Sequence, residues 1–384
     1  MRPIQMVDTK TQYHKIKPEV DNAVLEVMES SAFINGKIVQ EFSANLSTYL
    51  GVKNTIPCAN GTDALQIAMM ALGLEPGDEV ITPSFTYIAT TEVIALLKLT
   101  PVFAEVNPQT FCIDPVAIEK AITSKTKAIV PVHLYGQAAP MEEIMAIAKK
   151  YNLFVIEDNA QAMGCDYTFS DKTIKKTGAI GHISTTSFYP SKNLGAFGDG
   201  GAISTNDDEL AVKLKMIANH GQSKLYYHDI VGCNSRLDSM QAAILNIKLK
   251  YLDEYVVARR SAADFYDKAF AHHEKIKTPY RAPYSNHAFH QYTLLLDGID
   301  HPRSIRDGLK QFLADNTIPA MIYYPVPGHQ QKMFEKFNTA SQVMPVTDWL
   351  TERVISLPIH TELDEEQLTF ITTKVLEYIN KIGS

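Results

Sequence analysis

The sequence predicts an α/β fold in which a mostly parallel sheet forms a large domain and a smaller α+β domain follows. Four short apolar runs, typical of buried strands, begin at Glu79, Pro101, Ala128 and Phe154. Helical patterns such as Met141–Tyr151 separate these runs. Strands that alternate with helices indicate a parallel sheet covered by helices on its faces.

The chain has 384 residues, more than a single core usually holds, so we expect two domains, residues 1–245 and 246–384. In an alternative arrangement, the N-terminal segment of the first domain packs on the second domain. Apolar residues at helical spacing between Ser235 and Ala271 predict one long helix that connects the two domains. The second domain is predicted to contain a strand and two helices, at Gln291–Leu296, Ser304–Leu313 and Glu365–Ile382.

Charge and composition exclude several classes of function. The chain has 36 Lys and Arg against 43 Asp and Glu, a formal net charge of -7 without a basic stripe, so nucleic acids and anionic membranes are not expected partners. No apolar run approaches the roughly 20 residues that cross a bilayer. The segment Met1–Asp8 lacks the apolar core of a signal peptide. We therefore expect a cytoplasmic protein.

Cysteine and histidine spacing does not indicate a metal site. The cysteines are widely separated, which favours reduced and mostly buried thiols over disulfides or a cluster. They are Cys58, Cys112, Cys165 and Cys233. The closest histidine groups lack a supporting carboxylate pattern, so we expect surface or packing roles for His272, His273, His287 and His290.

One lysine, Lys192, lies in a turn rich in proline and glycine that spans Ser187–Gly201. Strand-like runs overlap the two ends of the turn, at Thr185–Tyr189 and Gly201–Thr205. A lysine held at the end of a pocket can form a Schiff base with an aldehyde. Surface turns also carry lysine routinely, so the neighbouring loops must decide between the two interpretations.

Loops at the carboxyl ends of the predicted strands carry further chemistry, because such loops meet at one crevice of an open α/β sheet. Asn60, Gly61 and Thr62 precede a helical pattern and offer backbone N–H groups and a hydroxyl to a phosphate. The alternative is an ordinary helix cap, for which the same residues are typical. Ser187 and Ser191 bring hydroxyls to the lysine turn, within reach of a phosphate or a substrate.

A carboxylate at the end of a predicted strand, Asp158, needs a cationic partner, which a protonated pyridine nitrogen would supply. Gln161 follows three residues later, where its amide could donate to a phenolate on the same ring. A capping role is the alternative for either residue. Tyr87 follows another strand and is a candidate to lie across a flat ring, or else to belong to the core.

In this order, a phosphate cradle, an aromatic residue, an acid and a lysine resemble the sugar aminotransferases of the DegT/DnrJ/EryC1/StrS family. The resemblance extends over nearly the whole chain. It rests on the segments Ala59–Leu65, Pro76–Pro83, Val132–Gln137, Ile156–Gln161, Ser187–Gly201 and Asn234–Leu245. It implies a fold-type I enzyme that depends on pyridoxal phosphate, a homodimer with both sites at the subunit interface, and glutamate as amino donor.

The resemblance also implies roles for individual residues. Lys192 would bind pyridoxal phosphate as a Schiff base, and Asp158 would pair with the pyridine nitrogen. Gln161 would contact the ring hydroxyl and Tyr87 would stack on the ring. The phosphate would be bound by Gly61, Thr62 and Ser187, with Asn234 from the partner subunit.

Among the branches of this family, the chain most resembles the one that aminates UDP-2-acetamido-2-deoxy-3-oxo-glucuronate for surface polysaccharides such as lipopolysaccharide. There Arg236 would reach from the partner subunit toward the sugar carboxylate, a task that suits the bidentate donors of arginine. Taken alone, Arg236 and Asp238 also read as an ordinary surface pair. The implied substrate-binding residues are Ser31, Phe33, Ser191, Arg236, Tyr323, Tyr324 and His329.

Other activities stay open on the sequence alone. Many family members have histidine where this chain has Tyr323, and the segment around Arg236 also resembles branches that aminate dTDP-3-oxo-6-deoxyhexoses. An aminotransferase for such a sugar, or for a 4-oxo nucleotide sugar, is therefore the alternative. A pyridoxal phosphate-dependent sugar dehydratase would have histidine in place of Lys192. A non-catalytic regulator would not require the complete set of site residues.

Overall fold

A seven-stranded mixed sheet is the framework of the computed structural model, which describes residues 1–382. The strands of the chain are β1 Asn54–Cys58, β2 Glu79–Pro83, β3 Thr100–Ala104, β4 Thr126–Ile129, β5 Phe154–Asp158, β6 Asp166–Thr168, β7 Ile174–Lys176, β8 Ile183–Ser187, β9 Gly201–Thr205, β10 Gln222–Lys224, β11 Tyr227–His228, β12 Ile276–Lys277, β13 Ser285–Asn286, β14 Tyr292–Leu296 and β15 Val354–Leu357. In the large sheet the order is β1-β9-β8-β5-β4-β2-β3. Strands β2, β3, β4, β5 and β8 run parallel, whereas β9 is antiparallel to both β8 and β1. The predicted mostly parallel sheet is confirmed.

Helices cover both faces of this sheet. They are α1 Thr9–Lys15, α2 Lys17–Ser30, α3 Lys37–Leu50, α4 Gly61–Ala71, α5 Ala89–Leu96, α6 Pro115–Ala121, α7 Met141–Tyr151, α8 Asp208–Ala218, α9 Ser239–Lys250, α10 Leu252–Phe270, α11 Pro302–Asp315, α12 Pro345–Arg353 and α13 Glu365–Asn380. Neighbouring residues of β5 point to opposite faces, as a strand requires. Val155 packs in the core that contains residues of α3 and α7, and Ile156 packs in the core that contains residues of α4, α5 and α8.

A second, antiparallel sheet contains β12, β14 and β15. The central strand β14 is buried along its whole length and shares a separate core with α10, α11 and α13. Ile4 belongs to the same core, so the start of the chain lies on this layer. The predicted C-terminal α+β layer is confirmed. The predicted domain boundary at residue 245 falls within α9 and stays a prediction.

The single long helix predicted between Ser235 and Ala271 is wrong, because two helices, α9 and α10, occupy this range. The backbone of Tyr251, with φ -100° and ψ -1°, lies between them. Apolar spacing continues across the junction since both helices bury a face: the residues concerned are Ala242, Leu245, Leu249, Leu252 and Val256. Periodicity alone therefore could not locate the break.

The cysteines are free thiols as predicted, with three buried and Cys233 partly buried. Burial raises the pKa of Cys112 to about 12 and that of Cys165 to about 11. His287 is buried and stacks on Phe289 with 3.9 Å between ring centroids, a packing role. Within residues 1–382, no helix combines the length and apolar character needed to cross a bilayer, and no cluster of side chains is arranged to bind a metal.

Candidate active site

Lys192 lies in the turn between β8 and β9, at the end of the large sheet. The turn is closed by backbone hydrogen bonds from Lys192 N to the Tyr189 carbonyl at 2.8 Å and from Ala196 N to the Phe188 carbonyl at 2.7 Å. A methyl group on Gly195 would lie 2.4 Å from the Pro190 carbonyl oxygen, so only glycine fits the chain this tightly. The turn therefore holds the lysine on a compact backbone that passes close to itself at Gly195.

The amine of Lys192 is desolvated, and this burial lowers its pKa to about 8 against an opposing effect of the negative charge on Asp158. Within residues 1–382 the amine makes no hydrogen bond and no ion pair. At pH 8 about half of such amines are neutral, compared with less than about 1% of ordinary lysines. A neutral, unpaired amine is the form that attacks a carbonyl carbon.

Asp158 ends β5, and its carboxylate is buried, with 5% of its surface exposed. Oδ2 accepts a 2.7 Å hydrogen bond from the Thr90 hydroxyl, and Oδ1 accepts a 3.1 Å bond from Ala160 N. No cation in the described part of the chain forms an ion pair with it. A buried carboxylate without an ion-pair partner in the described residues fits the protonated ring nitrogen of pyridoxal phosphate.

Gln161 lies beside Asp158 with both ends of its amide hydrogen-bonded. Its Oε1 accepts from Tyr135 N at 2.9 Å, and its Nε2 donates to the Tyr324 hydroxyl at 3.1 Å. Burial raises the pKa of Tyr324, so this hydroxyl stays protonated at neutral pH. The ring of Tyr87 is 57% exposed and lies 6.3 Å from the Tyr324 ring. Tyr324 therefore contacts the Gln161 amide and lies near the Tyr87 ring, the two groups predicted to contact the cofactor ring.

The predicted phosphate cradle lies where the N-terminus of α4 meets the end of β8. Asn60 caps the helix, because its side chain accepts a 2.8 Å hydrogen bond from Asp63 N. A methyl group on Gly61 would lie 2.7 Å from Cβ of Ser187, so glycine is needed for the two elements to approach. The free N–H groups of this first turn, together with the hydroxyls of Thr62 and Ser187, suit an anion.

Hydrogen bonds to Ser84 and Tyr135 hold the loop from Tyr323 to His329. His329 is fully buried, and its Nδ1 lies 2.7 Å from the Ser84 hydroxyl. Burial lowers the pKa of His329, so the ring is neutral. Gly328 N donates to the Ser84 carbonyl at 2.8 Å, and the Tyr135 hydroxyl donates to the Tyr323 carbonyl. His329 is therefore placed to anchor the loop, and its predicted contact with substrate stays a prediction.

A second group of predicted residues shares no hydrogen bond or ion pair with Lys192 within residues 1–382. Phe33 is 46% exposed, and its carbonyl accepts a 2.9 Å hydrogen bond from Ser239 N, close to Arg236. Arg236 is half-buried and donates to the Asn219 side chain at 3.3 Å, and it forms no ion pair with Asp238. It lines a cavity of about 840 Å³.

Other members of this second group are less enclosed. Ser31 ends α2 in a left-handed conformation with φ 53°, and Asn234 is exposed. The following residue, Ser235, is buried and accepts a 3.1 Å hydrogen bond from Ala59 N, next to the phosphate cradle. No hydrogen bond or ion pair links Arg236 to Lys192 or Asp158 in residues 1–382. Ser191 stays in the first group, beside Lys192.

Sequence reasoning missed two residues that shape the site. Thr90 lies in α5, far along the chain from the carboxylate that it contacts. Tyr135 lies in the segment Val132–Gln137, which carried the family resemblance without an assigned role. The one signal for Thr90 was its position shortly after β2, because loops after parallel strands meet at one edge.

Known proteins resemble this chain over nearly its whole length. A family model described as the DegT/DnrJ/EryC1/StrS aminotransferase family matches residues 14–376. A pleiotropic regulatory protein of Geobacillus stearothermophilus is 45% identical, over 98% of this chain and 98% of the relative. Two relatives at 42% identity are named for their substrates.

One is the UDP-2-acetamido-2-deoxy-3-oxo-D-glucuronate aminotransferase of Pseudomonas aeruginosa, matched over 96% of this chain and 98% of its own length. The other is the UDP-N-acetyl-3-dehydro-alpha-D-glucosamine 3-aminotransferase of Acidithiobacillus ferrooxidans, matched over 97% of each chain. Further relatives are named as transaminases of dTDP-amino sugars.

Solved structures agree with the fold. An aminotransferase of this family from Brucella abortus superposes with a TM-score of 0.91 at 38% identity, covering 99% of this chain and 100% of the other. NtdA from Bacillus subtilis, with bound pyridoxamine phosphate, superposes with a TM-score of 0.87 at 32% identity, covering 95% of this chain and 82% of the other.

Proposed function

Because the chain belongs to the DegT/DnrJ/EryC1/StrS aminotransferase family and is a pyridoxal phosphate-dependent aminotransferase of nucleotide sugars, we propose that it aminates UDP-2-acetamido-2-deoxy-3-oxo-glucuronate at C3. Glutamate is the proposed amino donor. The product would enter surface polysaccharide synthesis in the cytoplasm. The relative from Pseudomonas aeruginosa supports this choice of sugar.

The observation that carries the proposal is the state of Arg236. Its guanidinium is half-buried and donates to one neutral amide, that of Asn219, at 3.3 Å. Within residues 1–382 no carboxylate neutralises it. An arginine with unused donors and no counter-charge is suited to bind a carboxylate in bidentate fashion. The C6 carboxylate distinguishes the proposed sugar from its glucosamine counterpart.

The residues around Lys192 provide the chemistry of amino transfer. Pyridoxal phosphate, when bound, supplies a conjugated ring that withdraws electrons from the carbon bonded to nitrogen. Lys192 would remove and return the proton at that carbon, since its amine is partly neutral near pH 8. Asp158, fixed by Thr90, would keep the ring nitrogen protonated. Gly61 and Ser187 would hold the phosphate so that the ring stays in register with Lys192.

We further propose a homodimer in which each site is completed by the partner subunit. Within residues 1–382, Arg236 forms no hydrogen bond or ion pair with Lys192 or Asp158 of its own chain, which supports its use by a second copy. Asn234 is exposed and would complete the phosphate shell in the same way. The exposed ring of Phe33 and the hydroxyls of Ser31 and Ser191 would contact the nucleotide sugar.

The proposal is tested by supplying the enzyme and glutamate with a panel of sugars and measuring 2-oxoglutarate. The panel contains UDP-2-acetamido-2-deoxy-3-oxo-glucuronate, UDP-N-acetyl-3-dehydroglucosamine, a dTDP-3-oxo-6-deoxyhexose and a 4-oxo nucleotide sugar. We expect the highest kcat/KM with the uronate. A preference for the glucosamine compound would overturn the carboxylate assignment, and turnover confined to 4-oxo sugars would overturn the C3 assignment as well.

A further inference from the structure

A lysine outside the cofactor pocket, Lys248, contacts the turn that carries Lys192. It lies in α9 with 1% of its surface exposed, and its Nζ donates a 2.5 Å hydrogen bond to the Gly195 carbonyl. The same nitrogen lies 5.4 Å from the centre of the Phe197 ring. No carboxylate in the described part of the chain pairs with it. The buried amine of Lys248 therefore forms its hydrogen bond with the lysine turn.

A second side chain of α9, Gln241, holds the same turn. Its Oε1 accepts from Phe197 N at 2.9 Å, and its Nε2 donates to the Phe197 carbonyl at 3.4 Å. Gln241 and Lys248 are seven residues apart, close to two helical turns, so they lie on one face of α9. Side chains on this face form hydrogen bonds with the turn at Gly195 and Phe197, which follow Lys192 in the sequence.

Packing alone does not explain a lysine at this position. Burial opposes the ammonium charge and lowers the pKa of Lys248 to about 7, with the charge of Arg259 acting in the same direction. A methionine would fill similar volume without this penalty. A neutral amine still has N–H groups, so the bond to Gly195 persists in either protonation state. The hydrogen bond is thus the property that methionine would lack.

At Gly195 the turn has no side chain with which to contact its surroundings, so support there must come from other elements. Gly195 carries no side chain, and the tight approach to Pro190 forbids one. Asn193 Nδ2 donates to the Ala288 carbonyl at 3.0 Å. The α9 contacts hold the turn further along, at Gly195 and Phe197.

We propose that Lys248 is a positioning residue of the active site: by holding the Gly195 carbonyl, it fixes the turn so that the Lys192 amine stays aligned with Asp158. The inference depends on the cofactor chemistry and not on which sugar is aminated. Its readouts are therefore taken from the cofactor, so that an error in the proposed sugar leaves the test intact.

The test compares Lys248→Met with the parent and with Lys250→Met, an exposed lysine of the same helix. We expect Lys248→Met to capture pyridoxal phosphate about tenfold more slowly, the size of one lost hydrogen bond. The pH midpoint of the visible band of bound cofactor should also shift. Its Tm should stay close to that of the parent, because removal of the buried amine offsets the loss of the donor to the Gly195 carbonyl. Lys250→Met should match the parent in all three measurements.

Two further variants separate positioning from general stability. Lys248→Arg keeps a donor and should recover part of the capture rate. Gln241→Leu, at the partly exposed end of the same face, should slow capture in the same direction even where Lys248→Met folds poorly. Capture and spectrum equal to the parent in Lys248→Met would overturn the proposal. A lowered Tm without any spectral or kinetic change would overturn it equally, since that is the result of a purely structural role.

Discussion

The hydroxyl of Thr90 donates a 2.7 Å hydrogen bond to Oδ2 of Asp158, and both side chains are buried. Ala160 N donates to the other carboxylate oxygen at 3.1 Å, so the plane of the carboxylate is fixed from both sides. The carboxylate is thereby oriented before any ring nitrogen approaches it. A helix that follows one strand of the sheet thus orients the acid that ends another.

Replacing Thr90 by valine tests this orientation. The variant leaves Oδ2 of Asp158 without its buried donor, which destabilises the ionised carboxylate by about 1–3 kcal/mol. We expect kcat to fall about tenfold while the phosphate end of the site still binds cofactor. Thr90→Ser keeps the hydroxyl and serves as the control. Equal kcat in Thr90→Val and the parent would show that the bond is dispensable.

Asp158→Asn tests the carboxylate itself with little change of shape. The amide cannot stabilise a protonated ring nitrogen, so we expect kcat to fall by about 10²- to 10⁴-fold. Bound cofactor is quantified by absorbance in the same sample, so that lost activity is not confused with lost cofactor. Asp171→Asn, at an exposed position, is the matched control. Parental turnover with cofactor bound would disprove the role of Asp158.

The rate of cofactor capture by the apoenzyme should depend on pH through Lys192. Burial lowers the pKa of this amine to about 8, so its neutral fraction falls about tenfold per pH unit below 8 and levels off above it. Stopped-flow absorbance measures the rate. The charge of Asp158 raises this pKa, so Asp158→Asn should move the midpoint to lower pH. A rate that keeps rising to pH 10 would indicate an ordinary, solvated lysine.

Gly61→Ala tests the close approach at the phosphate end. The new methyl would lie 2.7 Å from Cβ of Ser187, and such overpacking typically lowers the free energy of unfolding by about 1–3 kcal/mol. Affinity for pyridoxal phosphate should fall with it. Adding Ser187→Gly removes the closest contact and leaves Cα of residue 187 at 3.2 Å, so it should restore part of the stability, but not affinity, because a hydroxyl is lost. Restored affinity in the double variant would argue against a role for that hydroxyl.

Arg236→Lys tests recognition of the sugar carboxylate. Lysine keeps the charge but loses the bidentate fork, so we expect kcat/KM to fall about tenfold for the uronate and little for UDP-N-acetyl-3-dehydroglucosamine. Arg303→Lys, on the exposed surface of α11, is the control. Equal losses for both sugars would mean that Arg236 does not read the carboxylate.

Strands of the large sheet were predictable because buried parallel strands are continuous apolar runs, such as Val80 and Ile81 in β2. The helices at the start of the chain were harder to predict. Helix α2 buries only Val20 and Val27 among its fourteen residues, so its apolar periodicity is sparse. The hairpin of β6 and β7 is short and largely polar, so its pattern in the sequence is weak as well.

Asp158, Ser187 and Lys192 could be proposed from the sequence because each lies at the end of a strand or in the turn after it, the edge where parallel sheets bring functional residues together. Their supports could not be. Thr90 and Lys248 look like ordinary residues of helices, and only tertiary packing turns them toward Asp158 and Gly195. His329 was predicted as a substrate contact, but its burial against Ser84 depends on a loop that meets β2 across a long stretch of chain.

The pairing of β1 with β9 has a consequence for biosynthesis. Strand β1 pairs from Asn54 with Thr205 to Cys58 with Gly201, and a methyl group on Gly201 would lie 2.4 Å from Asn60. The phosphate cradle is therefore incomplete until β9 leaves the ribosome, roughly 150 residues after β1. A nascent chain that ends before Gly201 lacks the strand that packs against Asn60, so we expect cofactor loading to follow synthesis of the lysine turn.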